Sequence, residues 1–143
     1  MPASSKLQNS ILNGLGIVYT LFAIFAFVNV YTFVHLSGSA PLSYSLYGVL
    51  YAAIAFLFFT KERWLLQFFA ANLLANLTLF AMRTYAAHGT SLLPVVIVGL
   101  NAALVWYLYY NYRSLRDSMV GRIAAGLTFL LWVITIYAVI NNL

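Results

Sequence analysis

Three polar side chains fall on one face of a largely apolar stretch, residues 64–83 (WLLQFFAANLLANLTLFAMR), and their spacing is the first sign of chemistry in this chain. Asn72, Asn76 and Arg83 occur at i, i+4 and i+11, so on a helix they share one face. Groups of this kind at membrane depth are costly and turn toward protein or a water-filled cavity. At 1.5 Å per residue, Asn72 and Asn76 lie about 12 and 18 Å from Trp64, and Arg83 about 28 Å, near the far boundary of an apolar core roughly 30 Å thick. The asparagines then have two uses. They can bond to a neighbouring helix, with Asn101 as the partner, or they can line a pocket or path for an uncharged or anionic molecule. Arg83 can snorkel to headgroups or bind an anion, a carbonyl or a lipid phosphate.

A second set combines His35 and His88 with Tyr31, Tyr85 and Arg83. Two histidines at different helix ends could ligate a haem or another metal, or join a quinone site with the tyrosines and the arginine. The competing reading is two interfacial histidines with no joint role, because no ligand spacing connects them. Neither a metal nor a cofactor is therefore expected, and haem or quinone remains the alternative.

Absent groups narrow the chemistry further. The chain has no cysteine, which removes disulfides, iron–sulfur clusters, thiol catalysis and thioether-linked haem. Its two carboxylates, Glu62 and Asp117, both fall between apolar runs, so no acidic proton relay or cation site is expected at mid-depth. Hydrolase, metalloprotease and phosphate-loop motifs are missing, as are the paired carboxylates that hold magnesium against diphosphate groups. The chain reads as a protein without a catalytic centre.

These residues must be positioned by membrane helices. Of 143 residues, 64% are hydrophobic and 6% charged, against roughly 25% charged in soluble domains. The apolar runs are long, as in spanning helices, rather than the shorter alternating segments of a β-barrel. The expected fold is all-α, a single transmembrane helical domain over residues 1–143 with five spans at about 11–35, 43–60, 64–83, 92–112 and 123–140. Residues 1–10 read as a polar lead. The first apolar run, about 24 residues, exceeds the roughly 7–15 of a signal-peptide core, so it is expected to be retained although Gly38-Ser39-Ala40 resembles a cleavage site. Residues 84–91 read as a connector with Gly89 as a helix stop, and Pro94 falls in a first turn, where proline is tolerated. Trp106, Tyr107, Tyr109, Tyr110 and Tyr112 form an aromatic belt of interfacial type.

Charge sets an orientation. Lys6, Lys61, Arg63, Arg113, Arg116 and Arg122 fall on the amino-terminal side of a five-span chain, and only Arg83 on the other. The positive-inside rule then puts the N-terminus inside and the C-terminus outside, in a plasma (inner) membrane. The net charge of +5 suits a negatively charged inner leaflet rather than nucleic acid.

Packing expectations follow. The three-residue link 61–63 makes the second and third helices antiparallel neighbours, and the third, with its inward asparagines, is expected to be the most buried. Small pairs at Gly48/Ala52, Ala71/Ala75, Gly99/Ala103 and Gly121/Ala125 permit close helix approach. An offset of fifty residues aligns Leu50-Tyr51-Ala52-Ala53-Ile54 with Leu100-Asn101-Ala102-Ala103-Leu104, which would make spans two–three and four–five related hairpins. Three functions fit this chain. The first is an accessory or scaffolding subunit, partnered by lipids and by other membrane subunits or by copies of itself in an oligomer. The second is a small-molecule or lipid-binding transport protein with its pocket on the third span. The third is an outer-side haem or quinone redox site.

Overall fold

In a computed structural model, residues 3–87 and 92–143 are described. Among them are five helices long and apolar enough to cross a membrane: α1 (Ala3–Ser37), α2 (Leu42–Thr60), α3 (Trp64–Ala87), α4 (Leu92–Tyr110) and α5 (Met119–Ile140). No strand occurs among these residues. The all-α fold and its five spans are those expected from the apolar runs.

Three boundaries differ, each for a local reason. Helix α1 begins at Ala3, because residues 3–10 hold no glycine or proline to stop it, so the supposed lead is helical. Helix α3 continues to Ala87, which makes Thr84 and Tyr85 helical rather than connector; Gly89 lies outside the described residues. Helix α4 ends at Tyr110. There Asn111 Nδ2 donates to the Tyr107 carbonyl at 2.9 Å and Ser114 Oγ to the Asn111 carbonyl at 2.7 Å, local bonds that compete with helix continuation and lead into the single 3₁₀ turn Tyr112–Ser114.

The helices sort into two compact units, one of α1, α2 and α5 and one of α3 and α4. In the first, α1 and α2 run antiparallel, as two reciprocal contacts require. A side chain on Gly16 would meet the Phe59 ring, and one on Gly48 would meet the Phe27 ring. Helix α5 is antiparallel to α2, and Ser43 N–H donates to the Leu143 carbonyl at 3.2 Å. Leu50, Ile54, Leu57 and Phe58 of α2 are buried, with Ala23 and Ala26 of α1 and Ala125 and Ala138 of α5. The hydroxyls of buried Thr128 and Thr135 donate to the carbonyls of Ala124 and Leu131, each at 2.7 Å, which satisfies them without a partner helix.

The most buried helix is therefore α2 and not α3, because α2 has a neighbour on each of two sides within its unit. The expected pairing of α2 with α3 is not the one that builds the units: the tight link 61–63 joins one unit to the other, and α3 pairs with α4. The two hairpins suggested by the fifty-residue offset are likewise each divided between units.

The first unit closes around a carboxylate. Lys61 ends α2 in the left-handed region (φ 56°, ψ 43°), and Glu62 N–H donates to the Leu57 carbonyl at 3.1 Å, the bond pattern of a Schellman cap. That turn aims Glu62 inward, where it is 1% exposed. Its carboxylate accepts from Ser118 Oγ at 2.5 Å, and the same Ser118 oxygen accepts from Gly121 N–H at 3.0 Å as the N-cap of α5. A residue that reads as one loop charge among several is thus the buried acceptor that ties the end of α2 to the start of α5.

In the second unit Arg63 does the corresponding work. Its N–H donates to the Arg116 carbonyl at 2.8 Å, its guanidinium lies 4.9 Å from the Tyr112 ring centroid, and Nη1 is 3.9 Å from Asp117. Trp106, Tyr109 and Tyr110 at the same end are 67–80% exposed, as an aromatic belt requires.

Candidate functional site

The polar column of α3 is divided in two by its neighbour α4. Asn72 Nδ2 donates to Asn101 Oδ1 at 3.1 Å, so the first asparagine joins the helices. Asn101 in turn donates to the Ile97 carbonyl at 2.9 Å, and Asn76 Nδ2 to the Asn72 carbonyl at 2.9 Å. These bonds commit the amide groups of Asn72 and Asn101 to one another and to the helix backbone. The expected value of the Asn72–Asn101 bond is ~0.6–2 kcal/mol. A double-mutant cycle with Asn72→Leu and Asn101→Leu should return a coupling of that size in unfolding experiments; additive single effects would show that the pair does not join the helices.

Further along the same face, Asn76 and Arg83 line one cavity of about 190 Å³ with Leu79 and Phe80 of α3 and Leu93, Pro94, Ile97 and Val98 of α4. Asn76 Oδ1 keeps its acceptor capacity, since only the amide nitrogen is used. Arg83 is exposed and makes no hydrogen bond or ion pair among the described residues. The cavity lies at the first turn of α4, where backbone N–H groups carry partial positive charge. One end is thus cationic and the walls are aliphatic and aromatic. An arginine fork at the boundary of the apolar layer can hold a phosphate or carboxylate, while the walls accept an acyl chain.

Tyr31, His35 and Tyr85 are not among the residues that line this cavity. Tyr31 and His35 stack on one another along α1, with ring centroids 5.2 Å apart and planes 19° apart, as one turn of helix dictates. Tyr85 is 87% exposed on the last turn of α3, and His88 lies outside the described residues. Among the described residues no group of three His, Cys, Asp or Glu could hold a metal.

A second cavity, in the first unit, escaped the sequence reading. It is lined by Phe22, Phe25, Ala26 and Asn29 of α1 and Tyr44, Tyr47 and Tyr51 of α2. The available signal was Asn29 as the one amide over residues 14–35, together with tyrosines spaced by three and four residues.

No family model, curated protein or solved structure matches the chain.

Proposed function

We propose that this chain is a membrane-embedded binding protein for an anionic amphiphile, with Arg83 and Asn76 at the headgroup and Leu79, Phe80, Leu93, Ile97 and Val98 along the chain. The observation that carries this reading is an uncommitted arginine at the mouth of a cavity whose walls are apolar. The Arg83 guanidinium can donate to a phosphate, and a headgroup hydroxyl can donate to the open Asn76 Oδ1. Binding is favoured over transport because Asn72 and Asn101 are spent on each other.

The test is native mass spectrometry of the protein released from nanodiscs of mixed phosphatidylglycerol and phosphatidylcholine. One phosphatidylglycerol per chain should survive release in preference to the zwitterionic lipid. Equal retention of the two lipids would refute the reading.

An accessory-subunit role keeps one observation of its own. Gly48 and Gly121 are buried within their unit, whereas Gly99 faces open space and its neighbour Ala103 is exposed. A second helix could approach α4 closely there. The same spectrum reads this out: a larger hetero-complex supports it, and a discrete particle of this chain alone counts against it.

The orientation belongs to this reading, because an inner-leaflet and an outer-leaflet lipid differ. The chain lacks cysteine, so single introduced thiols report cleanly. With the N-terminus inside, Ser39→Cys should react with a membrane-impermeant maleimide on intact cells and Lys6→Cys and Arg116→Cys should not. The reverse pattern would invert the assignment.

A further inference from the structure

We infer that the aromatic cleft between α1 and α2 is a binding site for a lipid-soluble planar ring carrying a carbonyl oxygen, with the Asn29 amide as its hydrogen-bond donor. This site is separate from the Arg83 cavity and does not rest on the reading given to it.

The cleft has a volume of about 350 Å³. That is more than twice the roughly 150 Å³ of a cavity that takes benzene in an engineered protein core, and within the range of small-molecule pockets. Its walls are largely aromatic. Tyr47 and Tyr51 present near-parallel rings 5.8 Å apart, and Phe22 leans on Tyr51 at 5.7 Å and 56°. Ala26, buried between Phe22 and Asn29 in the lining, leaves the space that a larger side chain would fill. Ring faces of this kind bind flat ligands by offset stacking or edge contact.

The polar groups single out the ligand's chemistry. Asn76, Asn101, Asn111 and Asn141 each turn Nδ2 back to the carbonyl four residues earlier, at 2.8–2.9 Å. Asn29 does not, and it has no hydrogen-bond partner among the described residues; nor do the hydroxyls of Tyr44, Tyr47 and Tyr51. Asn29 lies eight residues before the end of α1 at Ser37, about 12 Å into the apolar layer by helical rise. Water is scarce at that depth, and a donor held there without a partner is costly. An acyl chain would fill the cleft but leave these donors unmet. A ring oxygen, as in a quinone headgroup, meets them while its ring stacks on the tyrosines.

The experiment uses the full chain in nanodiscs, titrated with a decyl-substituted para-benzoquinone and, separately, with decylbenzene, which has the same tail and a ring without oxygen. The quinone should bind saturably, one per chain, and decylbenzene about tenfold more weakly, the worth of one hydrogen bond in a dry site. Asn29→Leu keeps the side-chain size and should lower quinone affinity to that of decylbenzene with the melting temperature unchanged, while Arg83→Ala should leave quinone binding as in the wild type. Equal affinity for the two probes in the wild type would overturn the inference without recourse to any variant. So would partitioning no greater than into empty nanodiscs, or an Asn29→Leu protein that is stably folded and binds the quinone undiminished.

Discussion

Arg83→Ala is expected to lower retention of the anionic lipid by tenfold or more while leaving the melting temperature within a degree or two. Both halves follow from the position of the side chain. Arg83 is exposed and makes no hydrogen bond or ion pair among the described residues, so its removal breaks no contact within the fold. A charge-assisted hydrogen bond is worth about 1.5–3 kcal/mol, which corresponds to at least a tenfold change in affinity. Arg83→Lys separates charge from shape. Lysine keeps the positive charge but loses the planar fork, so retention should fall between wild type and alanine. Asn76→Leu should cost less, since the amide supplies a neutral contact and its bond to Asn72 is intrahelical. Because the guanidinium is exposed, raising salt should weaken retention. Unchanged retention in Arg83→Ala would reduce the residue to a headgroup anchor and remove the proposed function.

Gly121→Ala is expected to destabilise the protein by about 2–4 kcal/mol, a large effect for one methyl group. A Cβ at position 121 would overlap the Glu62 carboxylate, which is 1% exposed and held by Ser118. The carboxylate must move, and overpacking of this kind costs roughly 1–3 kcal/mol. The displacement also disturbs Ser118, whose oxygen caps α5 through Gly121 N–H, and a lost N-cap adds about 1 kcal/mol. Glu62→Ala in the same chain opens the space that the new methyl needs. The double variant Glu62→Ala, Gly121→Ala should therefore be more stable than the sum of the single effects, a coupling of the sort found between residues in contact. Unfolding followed by circular dichroism in detergent measures all three. Additive losses would mean that Gly121 is small for a reason unrelated to Glu62.

The two cavities differ in how openly the chain announces them. Asn72, Asn76 and Arg83 stand out because their shared face is a property of helical spacing alone, and Asn101 is a natural partner since it is the amide in the middle of the next apolar run. Which asparagine meets it was open: Asn72 is the one that does, and Asn76 is left with Arg83. Asn29 is as conspicuous in its run as Asn101, but its significance depends on Tyr44, Tyr47 and Tyr51 facing it from α2, and that register is set by Phe27 lying over Gly48 and Phe59 over Gly16.

Apolar runs alone are enough to read an all-α chain with five helices long and apolar enough to cross a membrane and with few polar groups at mid-span. These are local properties. A run of apolar residues long enough for the bilayer must be helical whatever its neighbours, because every backbone polar group has to be satisfied within the segment. Which helices pair, the enclosure of α2 rather than α3, the burial of Glu62 at the start of α5 and the two cavities described all emerge from packing in three dimensions. The physical reason is that these spans are apolar nearly all round. In a soluble helix the apolar stripe marks the side that faces the core. In lipid every side is apolar, so packing partners are chosen by small residues and ring shapes meeting in three dimensions, a match between distant positions that no single stretch of the chain records.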